Sequence, residues 1–156
     1  MALAIRPYRP ADVDALIALF RAAVRRVASR DYTQDQVAAW APDIIDRGPW
    51  LERRGSRPTY VAELDGRIAG FSDLEADGHV DMMYVHPDFA GRGVAGALLR
   101  HVEAEARARN LARLFTEASI TARPFFERYG FRVLAPQTVS LRGQDFVNYR
   151  MEKALD

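Results

Sequence analysis

The feature that most constrains the fold is a unit of strand, glycine-rich turn, helix and strand in the second half of the chain. The segment "HVDMMYVHP" predicts a strand that ends at Pro87, and "FAGRGVAGALL" follows it at residues 89–99. The apolar spacing beyond the turn predicts a helix from about Gly91 to Arg109, and "LARLFTEAS" predicts another strand. Such a unit predicts a right-handed parallel crossover.

The first third of the chain is mainly helical in pattern. A short strand is predicted at "LAIRP", and the capping-box spacing of Thr33 and Gln36 predicts a short helix that stops near Pro42. The segment "DIIDRGPWLERRG" is less periodic and predicts a helical turn plus a loop. Between the "LAIRP" strand and the short helix, a longer helix is predicted from apolar residues that share one helical face: Val13, Leu16, Ile17, Phe20, Val24 and Val27.

Extended patterns begin at Pro58. Two strands joined at Asp65-Gly66, a tight-hairpin signal, are predicted in "TYVAELDGRIAGFSDLEAD". A short helix is predicted in "ARPFFERYGF", where Pro124 suits the first turn and Gly130 suits the left-handed position after the end. The segments "FRVLAPQTVSLRG" and "QDFVNYRMEKAL" predict a closing antiparallel pair.

Composition excludes several classes of protein. A chain of 156 residues suits one domain spanning residues 1–156. With no cysteine and three scattered histidines, neither a thiolate nor a metal site is expected. A net charge of +1 and short apolar runs favour neither nucleic-acid binding nor membrane insertion. Because "MALAIRPYRP" has no apolar signal core, a cytoplasmic protein is expected.

The glycine-rich turn has the properties of an anion-binding loop. Backbone N–H groups converge there at the positive end of a helix dipole, where side chains would obstruct a phosphate. No Gly-Lys-Ser/Thr follows, which excludes a Walker loop. Gly91, Gly93 and Gly96 fit a dinucleotide spacing, but they lie mid-chain after an antiparallel hairpin. A tight strand-to-helix turn, with Gly96 allowing close helix packing, remains the alternative.

The order of these elements, with "MMYVHPDFAGRGVAGALLRHVEAEAR" and then "ARPFFERYGF", strongly resembles the GCN5-related N-acetyltransferase family over nearly the whole chain. The resemblance implies an α/β fold with a central mixed, mostly antiparallel twisted sheet and helices on both faces. It also implies direct transfer of an acetyl group from acetyl-CoA to an amine. A non-catalytic acyl-CoA sensor on the same fold and an enzyme for a longer acyl donor stay as alternatives.

In that family a Gln/Arg-x-x-Gly-x-Gly/Ala loop binds the pyrophosphate of acetyl-CoA, and Gly93 and Ala95 match its last two fixed positions. Ala90 replaces the Gln or Arg, so weaker anchoring is expected. The resemblance also implies that the strand ending at Val85 parts from "LFTEAS" and that the pantetheine arm fills the gap. The cofactor-binding residues expected on this basis are Met83, Tyr84, Val85, Ala90, Gly91, Arg92, Gly93, Val94, Ala95, Gly96, Ser119 and Phe126.

Direct attack by an amine requires a base. Family members often place it at positions that correspond to His79 and Asp81, and His79 titrates nearest to neutral pH. An exposed histidine and a structural hydrogen bond of Asp81 are the alternatives, and Glu117 is a third candidate base.

The departing thiolate requires a proton. Many family members have Asn-x-x-Ala and then, four residues after the Ala, a tyrosine that protonates coenzyme A. This chain has Ser119, Ala122 and Phe126 instead. Tyr129, about one helical turn further on, is the candidate acid, with packing beside Phe131 or protonation by water as the alternatives.

The acceptor site in this family lies beside the first two helices. Tyr32 and Trp40 in "DYTQDQVAAWAP" are predicted to form an apolar or cation-binding wall for a small amine, with Trp40 as a plug of the core as the alternative. Trp50 is a further aromatic candidate. That segment has no acidic cluster, so a polycationic acceptor is not favoured. The expected partner is a small-molecule amine or the N-terminal or lysine amine of a protein, with a homodimer left open.

Overall fold

The computed structural model describes residues 2–156, which form seven strands and five α-helices. The strands are β1 (Leu3–Pro7), β2 (Thr59–Leu64), β3 (Arg67–Asp73), β4 (Met83–Val85), β5 (Arg113–Ser119), β6 (Arg132–Leu141) and β7 (Gln144–Ala154). The helices are α1 (Val13–Arg26), α2 (Gln34–Trp40), α3 (Arg47–Ser56), α4 (Val94–Ala108) and α5 (Arg123–Arg128). Across residues 2–156, no helix combines the length and the apolar character that crossing a membrane requires.

The strands form two antiparallel sheets, in the orders β1-β2-β3-β4 and β5-β7-β6. One parallel bridge between His79 and Phe115 joins them. At this bridge Val80 N–H donates to the Phe115 carbonyl over 2.9 Å, and Thr116 Oγ1 donates to the Val80 carbonyl over 2.7 Å. Gly78 is required beside it, because a Cβ there would collide with the carbonyl oxygen of Arg113. The β4-α4-β5 unit is therefore parallel, as the sequence predicts.

Two apolar cores lie on opposite faces of the sheets, which confirms the prediction of helices on both faces. On one face α4 contributes Leu98, Leu99 and Val102, all fully buried. On the other face α1 packs Leu16 and Val24 against the strands, as its predicted apolar face requires.

The predicted turns are also confirmed. Asp65 and Gly66 adopt positive φ values of 53° and 80° between β2 and β3, the geometry of a tight hairpin turn. Gly130 has φ 92° just after α5, where a residue with a side chain would be strained. Thr33 and Gln36 form the predicted capping box at the start of α2.

Two sequence predictions are wrong. The segment predicted as a helical turn plus loop contains the ten-residue helix α3, whose first turn is capped by Asp46 accepting from Gly48 N–H at 3.0 Å. The strand predicted over "HVDMMYVHP" shrinks to β4. Its preceding amides, of Asp81 and Met82, are bound by a carboxylate oxygen of Asp73 at 2.8 and 3.1 Å, so they are not available to a neighbouring strand.

Candidate active site

A cleft opens where the two sheets separate. Beyond the parallel bridge, β4 pairs with β3 and β5 pairs with β7, and the described residues form no ladder between β4 and β5. The resulting cleft has a volume of about 640 Å³. We call the end at the bridge the closed end of the cleft.

The loop between β4 and α4 forms the opposite end. Gly91 and Gly93 have φ values of 76° and 78°, and a Cβ added at either position would meet open space. These two conformations delay the helix, so α4 begins at Val94 and not at Gly91 as predicted. The loop therefore leaves an open space in front of the first turn of α4.

The first turn of α4 supplies free donors. Its first intrahelical hydrogen bond runs from Ala97 N–H to the Gly93 carbonyl at 3.0 Å, and no side chain caps the start. The preceding amides point out of the helix start, where the dipole of a 15-residue helix adds positive potential. Ala90, Gly91 and residues 93–96 line the cleft, whereas Arg92 is exposed and does not. Because the resemblance predicts that coenzyme A binds here, we call this loop, β4 and α5 the cofactor half of the cleft.

Tyr129 and Gly96 are complementary in shape across the cofactor half. A Cβ at Gly96 would collide with the Tyr129 hydroxyl, so the glycine makes room for the phenol against the start of α4. Tyr129 also packs on Phe125, with ring centroids 4.9 Å apart. Phe126 is buried against Phe131 but still lines the cleft. The close packing given as the alternative role of Gly96 is thus packing against Tyr129, a side chain that lines the cleft.

A network of charges lies at the closed end. Arg54 and Asp73 form a fully buried ion pair at 2.8 Å. Burial raises the pKa of Asp73, while Arg54 and the Met82 N–H act in the opposite direction. Asp81, which lines the cleft, is 3.6 Å from Arg54 and 3.3 Å from Arg57.

His79 is held between two carboxylates. Its Nε2 lies 2.7 Å from Glu117 Oε1, and its Nδ1 lies 2.6 Å from Glu75 Oε1. The hydrogen bond to Glu117 raises the pKa of His79 to about 9; burial opposes this and the bond to Glu75 adds to it. The imidazole is therefore mainly protonated at neutral pH. It does not itself line the cleft, but Glu117 does.

Three of these groups are also close enough together to suggest a metal site. Glu75, His79 and Asp81 each offer a ligand atom within 4.8 Å of the others. Arg57 Nη1, however, lies 2.9 Å from Glu75 and 3.3 Å from Asp81. A guanidinium bound to two of the three ligands repels a cation, so this group of residues does not fit a metal.

An aromatic wall forms the side of the cleft that faces α1 and α2. Tyr32 lies 5.4 Å from Trp40 and 5.8 Å from Phe146, measured between ring centroids. The Tyr32 hydroxyl donates to the Val147 carbonyl at 2.7 Å and accepts from Ile120 N–H at 3.0 Å. The wall is thus rigidly tied to β7.

Both predicted acceptor residues, Tyr32 and Trp40, line the cleft, and both also pack into the core. Trp50 does not line it, because the indole packs on Phe20 and Phe71 instead. Because the resemblance predicts that the amine acceptor binds beside the first two helices, we call the aromatic wall and the adjoining β6–β7 hairpin the acceptor half of the cleft.

A family model described as an acetyltransferase (GNAT) domain matches residues 28–153. The chain belongs to the GNAT family. It is 39% identical over 147 residues to the uncharacterized N-acetyltransferase YafP of Escherichia coli (strain K12), covering 94% of this chain and 93% of that protein. These matches make it an N-acetyltransferase, as the sequence resemblance implies.

Solved structures agree on the GNAT fold. A GCN5-related N-acetyltransferase from Rhodopseudomonas palustris, also titled aminotransferase class II, matches with a TM-score of 0.95 and 35% identity, over 99% of this chain and 97% of the other. The putative acetyltransferase yncA from Salmonella typhimurium, solved with acetyl-CoA, matches with a TM-score of 0.74 and 22% identity, over 100% and 95%. The predicted fold class is thereby confirmed.

One residue of this GNAT cleft escapes sequence reasoning. Asn148 on β7 lies directly opposite Ser119 on β5 and lines the cleft. Its buried Oδ1 has no hydrogen-bond partner among residues 2–156. Ser119, the residue at the family's asparagine position, is occupied locally, because its Oγ accepts from Ala122 N–H at 3.0 Å. The signal for Asn148 is its register opposite Ser119, which only the pairing of the last strand reveals.

Proposed function

We propose that this GNAT enzyme transfers an acetyl group from acetyl-CoA, bound between β4 and β5, to a primary amine that enters from the acceptor half. The observation that carries the proposal is the unpaired edge of β4, which leads directly to the open glycine loop. A relative of the same fold has been solved with acetyl-CoA, which supports this choice of donor.

The cofactor half has the donors that coenzyme A requires. The free amides at the start of α4 are placed to hold the pyrophosphate, and the helix dipole favours its negative charge. The unpaired edge of Met83, Tyr84 and Val85 is placed to accept the pantetheine arm as an added strand would be accepted. Ser119 and Phe126 complete the opposite wall.

Acetyl transfer then proceeds by direct attack. A backbone N–H near β4 polarises the thioester carbonyl, the amine nitrogen forms a bond to its carbon, and the bond from carbon to sulfur breaks. The attacking nitrogen loses one proton and the departing sulfur gains one. The chain must therefore supply one proton acceptor and one proton donor.

We assign the proton acceptor to Glu117, with His79 acting through it. Glu117 lines the cleft, and its bond to His79 gives the proton a route to the unprotonated fraction of that imidazole. Asp81 is held by two guanidinium groups, and we assign it no proton transfer. His79 is thus a positioning and relay residue.

Tyr129 remains the proposed donor of the proton to sulfur. Its hydroxyl lies against the start of α4, in the cofactor half. Because a thiolate with a pKa near 8.5 is already a good leaving group, the Tyr129→Phe variant should lose less than about tenfold in kcat.

The decisive experiment measures free thiol released from acetyl-CoA with a panel of amines. Glu117→Gln should lower kcat by about a hundredfold or more. In the wild type, kcat/KM should rise with pH up to about 9. The pH range of this rise should shift in His79→Gln. Tyr149→Phe serves as the control for Tyr129→Phe, since Tyr149 packs on Arg123 at the surface of α5. Tight acetyl-CoA binding without turnover of any amine would contradict the proposal and favour the acyl-CoA sensor.

A further inference from the structure

The acceptor half of the cleft has a shape that is already formed. Besides the Tyr32 hydroxyl, two contacts fasten α2 to the β6–β7 hairpin: Gln36 Nε2 donates to the Asp145 carbonyl at 2.7 Å, and Arg142 Nη1 donates to the Ala39 carbonyl at 2.6 Å. Side chains held from both sides lose little entropy when a ligand binds. The acceptor half is therefore a preorganised site.

The surface of this preorganised site is apolar and aromatic. Trp40 and Phe146 pack edge to face with ring centroids 6.1 Å apart, and Val139 and Leu141 continue the surface along β6. Such a surface favours an apolar body of the size of an aromatic ring.

Three of the polar side chains that line the cleft present acceptor oxygens. Asp81 and Glu117 offer carboxylate oxygens, and Asn148 offers its buried, unpartnered Oδ1. An amine donates its N–H groups to such oxygens, and its ammonium form has donors only, so the three oxygens match the reacting end of an amine.

The described cleft-lining residues of the acceptor half include no counter-ion for a carboxylate, since Arg142 in the β6–β7 turn donates to the Ala39 carbonyl and does not line the cleft. Among the described residues that line the cleft, Arg128 alone carries a positive charge. Arg128 directly precedes Tyr129, whose hydroxyl lies against the start of α4, so it belongs to the cofactor half. A carboxylate on the acceptor would therefore be desolvated beside Asp81 and Glu117, with no cation among the described lining residues of that half to pair with.

From this distribution we propose that the acceptor is an arylalkylamine: a primary monoamine with an aromatic body and no carboxylate. The inference rests on the proposed function and narrows it. An α-amino acid would bring an unpaired carboxylate into the cleft. A polyamine would bring extra cations to a wall whose two carboxylates already have basic partners.

The test compares four amines in the thiol-release assay: phenethylamine, phenylalanine, butylamine and spermidine. Phenethylamine should exceed phenylalanine by about a hundredfold in kcat/KM, because the two differ only by the carboxylate. It should exceed butylamine and spermidine by about tenfold. Equal or faster turnover of phenylalanine or spermidine would overturn the inference while leaving the proposed function intact. Turnover of no amine would instead defeat the proposed function.

A matched pair of variants tests the missing counter-ion directly. Leu141 and Leu134 lie on the same strand with equal exposure, 38%, but only Leu141 lines the cleft. Leu141→Arg should raise the ratio of phenylalanine to phenethylamine turnover by about tenfold, because it adds a partner for the carboxylate. Leu134→Arg should leave this ratio unchanged. An unchanged ratio in Leu141→Arg, with normal acetyl-CoA binding, would contradict the inference.

Discussion

The two halves of the cleft differ in whether the backbone or the side chains supply their groups. The cofactor half relies on backbone: an unpaired strand edge, two glycines with positive φ and the free amides of a helix start, largely within residues 83–96. The acceptor half relies on side chains that come from α2, β5 and the β6–β7 hairpin. One half therefore belongs to a continuous segment, and the other exists only in the folded chain.

This difference explains why the donor is easier to name than the acceptor. Backbone donors do not depend on neighbouring side chains, so the same loop can serve any GNAT enzyme that uses acetyl-CoA. The acceptor half can change its chemistry by single substitutions, such as one at Leu141, without disturbing the loop. Variants that damage one half should therefore spare the other.

The largest expected effect is on the cofactor half. Gly93→Glu forces a side chain into φ 78° and places a carboxylate where the pyrophosphate should bind, so acetyl-CoA affinity should fall by at least about a thousandfold. Gly143→Glu is the matched control, because Gly143 has φ 80° and equally open space but lies in the β6–β7 turn. Calorimetry should separate the two. Unchanged affinity in a folded Gly93→Glu protein would remove the loop from the cofactor site.

The parts of the fold that the sequence predicts well are those whose signals are local. Glycine spacing, the hairpin at Asp65-Gly66 and the capping box at Thr33 each depend on a few adjacent residues. The aliphatic face of α1 depends only on spacing. The hairpin, the capping box and the apolar face of α1 have the predicted form in the structure, whereas α4 begins at Val94 and not at Gly91.

What escapes prediction depends on contacts between distant residues. The strand predicted at "HVDMMYVHP" is shortened by Asp73, which lies eight residues before Asp81 and takes the amides a strand would use. His79 looks like a base with a pKa near neutrality until Glu117, 38 residues away, is placed beside it. No local pattern contains either contact.

The second largest effect should come from the buried ion pair at the closed end. Asp73→Asn leaves Arg54 buried without its partner, so the free energy of unfolding should fall by about 3–5 kcal/mol. Asp14→Asn breaks the exposed pair with Arg47 and should cost at most about 1 kcal/mol. Urea titrations of both variants measure the difference. Similar losses of unfolding free energy in the two variants would show that the buried pair of Arg54 and Asp73 contributes no more than the exposed pair.

A smaller effect is expected at the contact between Gly96 and Tyr129 in the cofactor half. Gly96→Ala should lower the free energy of unfolding by about 1–3 kcal/mol, because the new Cβ collides with the Tyr129 hydroxyl. Adding Tyr129→Phe removes the hydroxyl and should recover part of the loss. A double-mutant cycle by urea unfolding tests this, and strict additivity of the two changes would rule out the contact.

The smallest effect is a pH dependence of stability that belongs to the closed end. The pKa of His79 is raised from 6.5 to about 9 in the folded chain, so its stabilisation is complete below pH 6.5. It is lost as the pH rises to about 9, because the folded imidazole then gives up its proton as well. His79→Gln should be less stable than the wild type at pH 6 by roughly 1 kcal/mol, after discounting for solvent screening. The gap should narrow toward pH 9, whereas a constant gap would mean that His79 contributes packing on Phe115 and no charge.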